Sequence, residues 1–139
     1  PVAQASLSED EQTSVQALAS GTEKILVIDD EAPVRRILSR ALTDLGYTVT
    51  LANNGHIGMK LLQESPFDLV LLDLSMPLTS GQEVLKQWPK DSISKIIVLT
   101  GYTTSIGEDG LDIVDAVVQK PIKISELSHK IREIIDSRV

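Results

Sequence analysis

Ile25-Leu-Val-Ile-Asp-Asp-Glu31 is the stretch on which the fold turns. An unbroken apolar run, rich in β-branched residues, stops abruptly at three carboxylates. A strand with one wet face alternates apolar and polar residues, whereas a short unbroken run suits a strand covered on both faces. The same pattern recurs at Leu69-Val-Leu-Leu72 and at Ile96-Ile-Val-Leu99, and strands are also expected over Tyr47–Leu51 and Ile113–Val118. Helical spacings lie between them. Val34, Ile37, Leu38, Ala41, Leu42 and Leu45 precede a stop at Gly46. Ile57, Leu61 and Leu62 follow a candidate cap, Asn54, and end before Pro66. Gln82 to Trp88 forms a short helix closed by Pro89, and Leu127, Ile131, Ile134 and Ile135 mark a last amphipathic one. Strand and helix thus alternate about five times, which predicts an α/β domain built on a parallel sheet with both faces covered. Right-handed crossovers restrict the topology to a few doubly wound orders.

Composition bounds the rest. The 139 residues suit one domain with a tail. Hydrophobic residues make up 42% and aromatics only 3%, so the core is expected to be aliphatic. A net charge of −7 argues against a nucleic-acid surface, which needs a basic stripe. The absence of cysteine excludes disulfides, thiolate metal sites and a cysteine nucleophile. No apolar run approaches the roughly 18 residues of a membrane span, and the acidic, Ser/Gln-rich start does not read as a signal peptide. A cytoplasmic domain excised from a longer polypeptide is the expectation, since residue 1 is Pro1. Residues 1–22 read as a linker, flexible or partly helical: Ser8 and Glu11 have capping-box spacing, and Val15, Leu18 and Ala19 are weakly periodic. The domain proper is expected over residues 23–139.

In open parallel sheets, ligands bind beyond the carboxyl ends of the strands. Asp29, Asp30 and Glu31 follow the first run, Asp73 the third, Thr100 the fourth, and Gln119, Lys120 and Pro121 the fifth. Carboxylates gathered there would repel one another, and a hard divalent cation with oxygen ligands resolves the repulsion. A carboxylate can also attack phosphorus to give an aspartyl phosphate, a reaction governed by positioning and charge neutralisation. A cation can neutralise one side of the phosphoryl group, a lysine the other, and a hydroxyl can contact a third oxygen. Singly, each residue has an ordinary reading. The acidic pair could cap a helix, Asp73 a turn; Thr100 could be a turn residue, and Lys120 a snorkelling surface lysine. Together, in this order and at strand ends, they are poorly explained by chance. His56 and His129 fall on expected helices away from these ends and read as surface residues.

These segments resemble the receiver domains of bacterial response regulators, including the chemotaxis regulator and the receivers fused to hybrid sensor kinases. The matching stretches are Ile25 to Glu31, Leu69-Val-Leu-Leu-Asp-Leu-Ser-Met-Pro77 with Gly81, Val98-Leu-Thr-Gly101, and Val118-Gln-Lys-Pro121, and the resemblance covers roughly residues 23 to 138. It implies a flavodoxin-like (βα)5 fold with strand order 2-1-3-4-5. It further implies that Asp73 is the phosphoacceptor, that Asp30 binds Mg²⁺ directly and Asp29 mostly through water, and that the backbone carbonyl of Ser75 completes the ligands, with Mn²⁺ able to stand in. Lys120 would contact a phosphoryl oxygen, and Pro121 would follow a cis peptide bond. Thr100 would close on the phosphoryl group, and Gly101 would leave room for the donor. The implied partners are a sensor histidine kinase or a histidine phosphotransfer protein, with neither nucleic acid nor membrane. Homodimers are implied through the helix before the fifth strand, that strand, and the last helix.

Two departures bear on output. The family often has an aromatic residue three before the lysine; here Val117 stands there, and a β-branched side chain cannot swing inward in the same way. Tyr102 is the candidate for part of that role. The segment between Thr100 and Lys120 is slightly short and holds Gly107 and Gly110, so its helix is expected to be short or irregular. The leading expectation is a phosphorylatable switch that takes a phosphoryl group from a histidine kinase or phosphotransfer protein through its own active site and later loses it by hydrolysis, not a metabolic enzyme. The competing one is a pseudo-receiver that acts only as an interaction module, although such modules usually lack a key residue and none is lacking here. A nucleotide-binding protein would need a glycine-rich phosphate loop, which is absent, and a phosphatase of the haloacid dehalogenase type would need Asp-x-Asp after the first strand. Three arrangements are open, a stand-alone regulator with an N-terminal extension, the C-terminal receiver of a hybrid kinase and the N-terminal receiver of a longer regulator, and the residues before Lys24 mildly favour the hybrid kinase.

Overall fold

The computed structural model describes residues 19–74, 81–89, 92–101 and 113–137. Five parallel strands form one sheet in the order β2-β1-β3-β4-β5: β1 (Lys24–Ile28), β2 (Thr48–Ala52), β3 (Leu69–Asp73), β4 (Lys95–Thr100) and β5 (Ala116–Gln119). The described helices are α1 (Ala32–Asp44), α2 (Gly55–Glu64), α3 (Gly81–Lys86) and α4 (Ile124–Asp136). The expected strand order therefore holds, and the unbroken runs have a simple cause. Successive side chains of a strand point to opposite faces. Leu26, Ile28, Val70, Leu72, Ile96 and Val98 join Met59, Val84 and Leu85 in one core. Ile25, Val27, Leu69, Leu71, Ile97 and Leu99 join Leu38, Leu42, Leu127 and Ile131 in another. Both cores are chiefly aliphatic, with Phe67 and Trp88 entering the first and Tyr47 the second.

Local sequence explains the element ends. Helix α1 carries proline in its first turn and stops where Gly46 takes φ +106, a conformation that costs an L side chain roughly 1–2 kcal/mol. A Cβ there would also strike the Gly21 carbonyl. Helix α2 begins at Asn54, whose side chain accepts a hydrogen bond from the Ile57 N–H at 2.8 Å. Asn54→Ala should therefore lower stability by about 1 kcal/mol, read as a lower denaturant midpoint at unchanged slope, whereas Asn54→Ser should recover most of the loss.

Three boundaries differ from expectation. Tyr47 lies outside β2, because its N–H donates to the Leu42 carbonyl to close α1 while its ring is buried. Helix α3 ends at Lys86, and the N–H groups of Gln87 and Trp88 bond three residues back in a tightening turn. Strand β5 begins at Ala116, not at Ile113. Ile113 and Val114 pack against the first core from a turn, and Asp115 precedes the ladder, its carboxylate accepting from the Ile96 N–H at 2.8 Å. The expected helix between β4 and β5 falls on residues 102–112, outside the described residues.

The chain entering β1 is already tied down. The Ala19 N–H donates to the buried Ser128 hydroxyl at 3.2 Å, and the Gly21 N–H to the Leu45 carbonyl at 3.1 Å. Beside them the Arg132 guanidinium bridges Glu23 at 2.6 Å and also pairs with Asp136. That guanidinium holds the Glu23 carboxyl below its usual range.

Candidate phosphoryl-transfer site

Parallel pairing in register brings the carboxyl ends of β1, β3, β4 and β5 to one edge. Asp73 is the last residue of β3 and lies opposite Leu99; Thr100 closes β4 opposite Gln119; Lys120 follows β5 directly. Asp29 extends the β1–β2 ladder by one bond, its N–H donating to the Ala52 carbonyl at 3.1 Å. Asp29, Asp73 and Thr100 are buried, whereas Asp30 and Glu31 are exposed. Asp29, Asp30, Asp73, Thr100 and Lys120 thus stand at this edge, whereas Val117 lies within β5 opposite Val98.

The Lys120 ammonium is the hub. It lies 3.1 Å from Asp29 Oδ2, 3.1 Å from Glu31 Oε1 and 3.5 Å from Asp73 Oδ2. Burial pulls its pKa down, but the hydrogen bond to Glu31 and the charges of Asp29 and Asp73 outweigh burial and raise it. Asp29 is pushed up, first by burial and then by the charge of Asp73, against the opposing effects of the Glu31 N–H and Lys120. Its Oδ1 accepts from the Glu31 N–H at 2.9 Å, and its backbone carbonyl from Arg35 Nη1 at 2.8 Å.

The arrangement fits a hard cation. Asp29, Asp30, Glu31 and Asp73 each offer an oxygen, and these oxygens lie within 4.8 Å of one another. Asp29 Oδ2 is buried with no aligned hydrogen bond, so an oxygen-seeking ion there would relieve both desolvation and repulsion. Ser75 and Tyr102 lie outside the described residues. The Lys120–Pro121 peptide bond is cis, as expected. A Cβ at Gly101 would meet no atom within 4 Å, so that position is open. Val117 lies half-exposed on β5. His56 and His129 are exposed, on α2 and α4. The contacts of Glu31 with Lys120 and of Arg35 with the Asp29 backbone were not anticipated. Only the placement of Arg35 in the first turn of α1, facing back toward the first acidic cluster, hinted at the second.

Known proteins match this picture. A family model for the response regulator receiver domain matches residues 25–132. A probable transcriptional regulator, ycf27, of Porphyra purpurea is 40% identical over 119 residues, an alignment spanning 81% of this chain and 47% of that protein. The chain spans about half the length of the curated relatives it matches. The response regulator TrrA of Thermotoga maritima, solved with Mg²⁺ and beryllofluoride, is 34% identical with a TM-score of 0.74, covering 81% of this chain and 99% of its own. TrrA has also been solved in complex with the histidine kinase ThkA, where the TM-score is 0.69 at the same identity, over 81% of this chain and 98% of TrrA. No described helix is long and apolar enough to cross a membrane. With its sheet order, the strand-end cluster and these matches in agreement, the chain belongs to the response regulator receiver domain family.

Proposed function

We propose that Asp73 accepts a phosphoryl group from a phosphohistidine donor and that the resulting charge shifts the domain between conformations. The observation that carries this reading is the buried Asp73 carboxylate held between a second buried carboxylate, Asp29, and the Lys120 ammonium. An aspartate that merely ended a strand would need neither. In the reaction a carboxylate oxygen of Asp73 attacks the donor phosphorus. The phosphorus–nitrogen bond breaks, and the imidazole leaves with the electron pair and takes up a proton. Water later attacks the acyl phosphate, releases phosphate and restores the carboxylate. The chain modifies only itself, so it is a signalling domain with its own chemistry and not a metabolic enzyme.

Mg²⁺, or Mn²⁺ in its place, would be held by Asp29, Asp30 and Asp73 and would supply charge neutralisation for the phosphoryl oxygens. Lys120 supplies the protein's own positive charge on the phosphoryl group. Thr100, at the neighbouring strand end, contributes a hydroxyl to the same edge. A histidine kinase or phosphotransfer protein is the donor this chemistry calls for, and the ThkA–TrrA complex supports that choice.

Intact-protein mass after incubation with acetyl phosphate tests the proposal. With Mg²⁺ the chain should gain one phosphoryl mass, and with EDTA it should gain none. No gain in Mg²⁺, together with unchanged amide NMR shifts on adding beryllofluoride, would leave an interaction module and end this reading.

A further inference from the structure

Among the described residues Lys120 has three carboxylate neighbours, and they are not equivalent. Asp29 and Asp73 are fixed in the floor of the site, with side chains 0% and 1% exposed. Glu31 is different: its side chain is 57% exposed, yet it accepts a hydrogen bond from Lys120 Nζ at 3.1 Å. The Glu31 backbone is anchored, since its N–H donates to Asp29 Oδ1 and its carbonyl accepts from the Arg35 N–H. The anchored backbone keeps the carboxylate within reach of Lys120 while the side chain can still turn into water. Releasing the two buried acids from the ammonium would strand desolvated charge, whereas releasing Glu31 returns a carboxylate to solvent at little cost.

We propose that Glu31 is a positioning residue that occupies the Lys120 ammonium in the unphosphorylated protein and competes with an incoming phosphoryl group for it. The inference rests on the proposed function, because it takes Asp73 as the acceptor. When Asp73 carries a phosphoryl group, Lys120 gains an anionic acceptor and surrenders the contact it loses most cheaply, which is Glu31. Glu31 thereby raises the threshold for the modified state, and its own charge adds repulsion against an anionic donor.

The test is a beryllofluoride titration of the full chain in saturating Mg²⁺, comparing wild type with Glu31→Gln. The substitution uncaps nothing, since the Glu31 side chain makes no capping hydrogen bond to α1. Glu31→Gln should bind about two- to five-fold more tightly at low ionic strength, the factor that an exposed ion pair can supply. The difference should shrink as salt is added, because screening weakens the wild-type pair. In the metal-free variant the Lys120 side-chain amine resonance should also move, a change that a merely structural role for Glu31 would not produce. Equal or weaker binding by the variant, or a difference indifferent to salt, overturns the proposal. A large loss of Mg²⁺ affinity in Glu31→Gln would also overturn it, by making Glu31 a metal ligand. If wild type itself ignores beryllofluoride, the proposed function fails and takes this inference with it; if wild type binds and the variant binds equally, only the inference fails.

Discussion

Asp73→Asn should take up no phosphoryl group from acetyl phosphate and yet, with metal removed by EDTA, should unfold later than the wild type. The first half follows from chemistry, since an amide is not the nucleophile that a carboxylate is. The second follows from the surroundings. Asp29 and Asp73 are both buried, and the charge of Asp73 helps to push the Asp29 carboxyl up. Replacing one charge by a neutral isostere removes that repulsion and one desolvation penalty, while Lys120 keeps Asp29 and Glu31 as partners. The gain should be about 1 kcal/mol, the free energy of roughly one pKa unit of repulsion relieved between the two acids. Chemical denaturation at neutral pH measures it. A lower midpoint than wild type would mean that the attraction of Lys120 for Asp73 outweighs the repulsion between the acids.

Lys120→Met should act in the opposite direction. Methionine keeps an unbranched stem but removes the only charge paired with both buried acids among the described residues. Breaking a buried pair costs roughly 3–5 kcal/mol, and the lower end applies here because Asp29 can take up a proton instead. The pH dependence has a definite sign. A carboxyl raised in the folded state stabilises the fold when protonated, below its unfolded value near 3.8, and that stabilisation is lost as pH rises through the raised folded value. The metal-free wild type should thus gain stability from this group as pH falls from neutral into that window. Lys120→Met removes an influence that lowers the Asp29 pKa, so its recovery should begin at higher pH and be larger. Midpoints measured across pH in EDTA decide the matter. A variant whose deficit does not shrink on acidification would show that the lost stability is packing and not charge.

Most of the sheet was legible because central strands sandwiched between two cores need apolar residues at every position, and Leu26, Leu71 and Ile97 obey that demand. The start of β5 was not. Ile113 and Val114 are as apolar as strand residues, but they serve the first core from a turn, and β5 itself lies at the sheet edge with Val117 half-exposed. Composition cannot distinguish those two uses of a hydrophobic residue. Asp29, Asp73, Thr100 and Lys120 could be assembled from sequence because parallel topology sends every carboxyl end to one edge. The Glu31–Lys120 bond joins residues 89 apart through the reach of two long side chains, and no local pattern encodes it.

The anchoring of the entering chain has a mechanical consequence. Ala19 hangs from Ser128 in the first half of α4, and Gly21 from the carbonyl of Leu45 just past α1. Tension drawn through any preceding polypeptide would load these two hydrogen bonds before it reached the first rung of the sheet at Lys24. A pull from upstream would be felt first as a sideways tug on the last helix, not as shear in the strands.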